Sequence, residues 1–235
     1  MAGFLIRVPH RRFAVAIVNR RNLALILTAE RLFGDHGVDG ISLREISAQA
    51  GHKNVYAAQY YFGDKTGIIN AILAYRRPVL DEYRKSIIER SRIDLNDLSI
   101  EDILKVIYWP MFLQKDANGH RTYSHFIRAV FQYDIFTEIT RLGEASEFTA
   151  LLYARIRDQL TELDEDTWWI RSTTTVRSAV WIISDYDRGS FPDLSDDEIL
   201  SEIVAMNSAA LRGVAKQARV FADPGEIRFP DFSDQ

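Results

Sequence analysis

The chain has 235 residues, 47% of them apolar and 26% charged, with a formal net charge of −4. That balance fits a folded globular protein and argues against extensive disorder. The absence of cysteine excludes disulfides, thiolate nucleophiles and cysteine-based zinc or iron–sulfur sites. No apolar run reaches the roughly 20 residues needed to cross a bilayer, so no membrane partner is expected and the expected location is the cytoplasm. The charge is uneven. Residues 1–65 carry nine Lys or Arg against five Asp or Glu, a net of +4, which leaves −8 for the rest. A phosphate backbone attracts the first part more than the second.

In chain order, residues 1–20 mix short apolar runs with arginines and read as a basic N-terminal arm. A helix is predicted from about Arg21 to His36, with Ile26, Ala29, Leu32 and Phe33 at helical spacing and Gly37 as its C-terminal cap. Ser42 followed by Glu45 is a capping box that starts a second helix, Leu43 to Ala50, which Gly51 ends. After the turn His52-Lys53-Asn54 comes a short helix from Val55 to about Tyr61, with Asn54 as its expected cap. Two short helices around a glycine-containing turn are the outline of a helix-turn-helix. A long helix then spans about Lys65 to Arg90, with Pro78 as the expected bend. Further helices are predicted over about 100–114, 121–140, 144–161, 165–186 and 196–218, the last capped by Ser195 or Asp196. No strand alternation or βαβ rhythm is present, so the predicted fold class is all-α. The Pro-, Gly- and Asp-rich end reads as a C-terminal tail over 219–235.

Residues 21–73 resemble the DNA-binding domain of the tetracycline-repressor (TetR) family. The resemblance lies in the stripe ending at Leu32-Phe33, then Gly37, Ser42-Leu43-Arg44-Glu45-Ile46-Ser47, Ala50-Gly51 and Tyr60-Tyr61-Phe62-Gly63-Asp64-Lys65, in that order. The family usually has His where this chain has Tyr61, and the turn with its following helix is one residue longer than the common form. The resemblance implies an N-terminal three-helix helix-turn-helix domain over 21–65. It is followed by a larger helical ligand-binding and dimerisation domain over 66–218. It also implies a dimeric repressor that binds an inverted-repeat operator in double-stranded DNA and is released by a small-molecule effector.

On that basis the short helix enters the major groove, with Asn54, Ala57, Ala58, Gln59 and Tyr60 towards the bases. Asn and Gln suit adenine edges, and alanine packs on a thymine methyl. Ser42, Arg44, Lys53, Tyr61 and Lys65 are the candidate phosphate anchors. Taken singly, each polar candidate is equally readable as a cap or a solvated charge, and Tyr60 and Tyr61 as core aromatics.

The resemblance places the dimer-forming pair in the last two long helices. Val176, Val180, Ile183, Ile199, Ile203 and Met206 form their apolar stripes. The rival reading packs those stripes within one subunit. The aromatic-rich middle of the chain offers Trp109, Phe112, Phe126, Phe131, Phe148 and Trp168 as lining for an effector pocket, or as plain core. Pro110 is the residue expected to open a gap there. The expected effector is hydrophobic or aromatic.

No catalytic site, cofactor or metal is expected. The five histidines form no ligand signature, His120 and His125 are five apart rather than four, and no nucleophile elbow or phosphate-binding glycine loop occurs. The alternative to a regulator is a helical interaction or scaffold protein that does not read DNA.

Overall fold

The computed structural model describes residues 20–133 and 146–213. The basic arm and the C-terminal tail expected from the sequence lie outside these residues, apart from Arg20. Among the described residues the protein is all-α, with nine helices. They are α1 Arg20–His36, α2 Leu43–Gln49, α3 Ala57–Phe62, α4 Lys65–Ser91, α5 Ile100–Leu113, α6 Thr122–Gln132, α7 Glu147–Asp158, α8 Glu165–Asp187 and α9 Asp196–Arg212.

Most of the starts are set by small polar side chains that satisfy the first free amides. Ser42, Ser99 and Ser195 each form a reciprocal capping box with the acid three residues on, and Asp64 and Asp164 cap α4 and α8. Neither internal proline ends its helix: α4 runs through Pro78 and α5 through Pro110.

Two apolar clusters organise the body. The first joins Leu25, Ile26, Ala29, Leu32 and Phe33 of α1 to Ile46, Ala58, the start of α4 and the α6 face Tyr123, Phe126, Ala129 and Val130. It therefore runs past residue 65 into the larger part of the chain. The second is built on α5, α7, α8 and α9, and Ile127 and Phe131 of α6 pack against both.

Helix α6 presses closely on α1. The Phe33 and Phe126 rings stack at 6.4 Å. A Cβ built on Gly34 comes within 2.8 Å of the His125 Cβ, so only glycine permits this approach. A buried ion pair ties the same region together. Arg76 of α4 donates two hydrogen bonds, of 2.6 and 2.7 Å, to the Glu30 carboxylate, and the Thr122 hydroxyl adds a third of 2.6 Å.

On the other side of α6, Arg121 and His125 both donate to Asp187 of α8, and Arg121 also reaches Asp196. Burial raises the Asp187 pKa, but the bonds from His125 and from the Arg121 backbone and guanidinium outweigh it and hold the carboxyl at about 2.

Candidate functional site

The segment from Ser42 to Lys65 is a pair of short helices fixed by one side chain. The Ser47 hydroxyl donates to the Leu43 carbonyl and accepts the Ala58 amide, each at 2.9 Å. Gly51 adopts φ +75° at the end of α2, a left-handed conformation that glycine enters without a steric penalty. The chain then turns through Asn54, whose side-chain oxygen accepts the Tyr56 amide at 3.0 Å. Asn54 thus builds the turn rather than capping α3, which starts two residues later than its sequence suggests. Its N-cap is Tyr56, with no side-chain capping bond.

Two expected base contacts are corrected by this geometry. Ala57 and Ala58 are buried, with Ala58 fully inaccessible under Ser47, so neither meets a solvent-side partner. The outer surface instead consists of Lys53, Asn54, Val55, Tyr56, Gln59 and Tyr60, all exposed, with Tyr60 81% so.

Val55 and Tyr56 were not singled out from the sequence. The late start of α3, at Ala57, leaves this apolar–aromatic pair in the turn and facing outward. Tyr56 is held in place: the Arg44 guanidinium donates to its hydroxyl at 2.9 Å and lies 4.8 Å from its ring centre.

The candidate phosphate anchors divide by their existing bonds. Ser42 is engaged in its capping box with Glu45. Lys65 donates to the carbonyls of Val38 and Asp39, at 2.8 and 3.1 Å, and so ties α4 to the loop before α2. Arg44 and Lys53 remain on the exposed side. Tyr61 is half-buried against the first cluster, with its ring edge-on to Tyr60 at 5.2 Å.

A second site is a cavity of about 340 Å³ lined by α4, α5, α6, α7 and α8 and open to solvent on one side. Of the six aromatics expected to line it, Phe131 and Trp168 do. The other four are elsewhere. Trp109 stacks on Phe112 at 6.0 Å, and Phe112 is sealed beneath Tyr186 and the Arg121 guanidinium. Phe126 is sandwiched between Phe33 and Tyr123. Phe148 borders a separate outer groove, under the Lys85 ammonium.

The actual walls include Tyr108, Tyr123, Tyr153 and Trp169, together with the polar groups Arg77, Arg84, Ser146 and Thr149. Helical periodicity marks these aromatics as buried, but it does not say which side of a five-helix packing each one faces. Burial pushes the Tyr108 hydroxyl up to about 12 and that of Tyr153 well above its ordinary range, so both stay protonated donors.

Four of the six residues expected to pair two subunits face inward. Val180, Ile183, Ile199 and Ile203 are buried within the chain's own second cluster, where α9 packs on α8 and α5. Val176 lines the cavity. Met206 alone of the six is exposed, at 54%; on α8 the outward apolar residues are Ile170, exposed at 64%, and Trp169 beside it.

No protein-family model matches the chain, and none of the curated proteins does. Among solved structures it is similar to NalD, described as the secondary repressor of the MexAB-OprM multidrug efflux pump in Pseudomonas aeruginosa. The identity is 21% over 81% of this chain and 95% of that one, with a TM-score of 0.42. Among the described residues no helix is long and apolar enough to cross a membrane, and no cluster of His, Asp or Glu is arranged to hold a metal ion.

Proposed function

We propose that the protein is a ligand-responsive transcriptional regulator of the TetR type. In this reading it is a repressor that binds an inverted-repeat operator as a homodimer, and an apolar or aromatic small molecule releases it. The observation that carries the reading is the division of labour around α3. Its inner side is clamped by Ser47, and its outer side displays Asn54, Tyr56, Gln59 and Tyr60 beside Arg44 and Lys53. Asn and Gln match adenine edges, the tyrosines offer apolar bulk with a donor, and the cations suit phosphates.

Coupling follows from shared helices. Helix α4 supplies Ile68 and Ile69 to the core of the reading head and Leu73, Leu80 and Arg84 to the cavity wall. A ligand that prefers a different placement of α4 would shift the separation of two reading heads and so lower DNA affinity. The dimer contact in this proposal moves to the outer face of α8 and α9, around Ile170 and Met206.

The test is a selection from randomised duplex DNA with the purified protein. Enrichment of an inverted repeat with half-sites about one helical turn apart, or a multiple of it, is the expected result. Failure to enrich any sequence overturns the proposal in favour of a helical interaction protein.

A further inference from the structure

The cavity wall carries one buried hydroxyl without a hydrogen-bond partner, that of Tyr153. Asn207 is buried, and its side-chain oxygen accepts from the Ser178 hydroxyl at 2.6 Å. Its amide nitrogen therefore faces the other way and donates to the Thr175 carbonyl at 2.9 Å and to the Tyr108 hydroxyl oxygen at 3.2 Å. Tyr108, on the cavity wall, is thus held in place by Asn207, and Thr175 and Tyr153 lie beside its hydroxyl. The Tyr153 oxygen is itself buried and makes no well-formed hydrogen bond. Buried hydroxyls are normally paired, so one without a partner at a cavity wall marks a place for a ligand atom.

The other polar end of the cavity is already satisfied. Arg84 donates to Asp81, to Thr149 and twice to the Ile107 carbonyl, and both Ser146 and Thr149 donate to Asp81. Its charge is neutralised before any ligand arrives, and moving an ion into this region would forfeit hydration without a new counter-charge. Arg77 also borders the outer groove, in the company of Asp81, Glu82 and Glu147. Much of the remaining wall is aromatic, from Tyr123, Phe131, Trp168 and Trp169, and Ser172 and Thr173 add hydroxyls, that of Ser172 donating to the Trp169 carbonyl.

We propose that the effector is a neutral aromatic molecule whose acceptor oxygen takes the proton of the buried, unpartnered Tyr153 hydroxyl on the cavity wall. This rests on the regulatory reading above and adds to it the chemistry that the cavity selects. Tyr153 is the specificity residue.

The experiment titrates the full chain with four probes of one shape: naphthalene, acetylnaphthalene, naphthoate and naphthylmethylammonium. Quenching of tryptophan fluorescence reports binding, since Trp168 and Trp169 line the cavity. Acetylnaphthalene is expected to bind about tenfold more tightly than naphthalene, the gain from one neutral hydrogen bond, and more tightly than either ion. Tyr153→Phe should abolish that preference while leaving naphthalene binding and the thermal midpoint unchanged, because the lost hydroxyl carries no well-formed bond in the empty cavity. Tightest binding of an ion, the same preference in Tyr153→Phe, or no binding of any probe would overturn the proposal. Binding to the selected duplex, measured on the same samples, separates the two readings. A protein that binds DNA but shows no acceptor preference loses only this inference; one with the preference but no DNA binding loses the regulatory reading.

Discussion

Ser47 is the side chain on which the orientation of α3 depends. It is fully buried and serves both helices of the pair, so removing its hydroxyl strands the Ala58 amide without an acceptor. Ser47→Ala should lower stability by about 1–3 kcal/mol, read by urea unfolding. At this scale the sequence was informative where chemistry is local. Ser42 with Glu45 announces a capping box by spacing alone, and the box forms. It was misleading where the outcome depends on rotation. Ala57 and Ala58 carry no polarity to say which way they face, and the start of α3 two residues late turns them inward and Tyr56 outward. Lys65 looks like a solvated cation in sequence, yet distant loop carbonyls hold it.

At the scale of elements, α6 joins the N-terminal helices to the rest of the body, packing on both apolar clusters. Its contact with α1 leaves no room at Gly34, where an added methyl meets the His125 Cβ. Gly34→Ala should therefore cost about 1–3 kcal/mol even though alanine favours helix, because the packing strain outweighs the propensity gain. Glu30→Ala should cost about 3 kcal/mol, since it leaves the Arg76 guanidinium largely enclosed and without its carboxylate.

The Asp187 cluster adds a pH dependence. Its carboxyl is held at about 2 against an ordinary 3.8, so its stabilisation is fully present above about pH 4 and is lost as the pH falls towards 2. Unfolding of the parent and of Asp187→Asn, compared from pH 5 to pH 2, should show the stability gap narrowing across that window. These tertiary contacts were invisible beforehand. Glu30, Arg76 and Thr122 are spread over 92 residues, and nothing in their spacing links them. The helices themselves were legible, because capping residues and apolar periodicity are encoded within each segment.

For the whole molecule, the outstanding contrast is between the faces of α8 and α9. Both stripes read from the sequence turned inward because each helix has apolar residues on more than one side, and periodicity alone does not say which side meets the chain's own core. Ile170 and Met206, the outward pair, are where a second copy is expected to dock. Met206→Glu should leave the thermal unfolding of the subunit within about 0.5 kcal/mol while shifting sedimentation from dimer to monomer. A variant that stays dimeric would place the contact elsewhere, and a monomeric parent would remove it altogether.

The central claim is that the outer face of α3 reads DNA, and substituting that face tests it most directly. Tyr60 is 81% exposed and Gln59 is also exposed, so Gln59→Ala/Tyr60→Ala removes side chains that the fold does not need. Fluorescence anisotropy with the selected duplex should show at least a hundredfold weaker binding for the double variant, about 2.7 kcal/mol, with an unchanged thermal midpoint. Binding as tight as that of the parent would contradict the account.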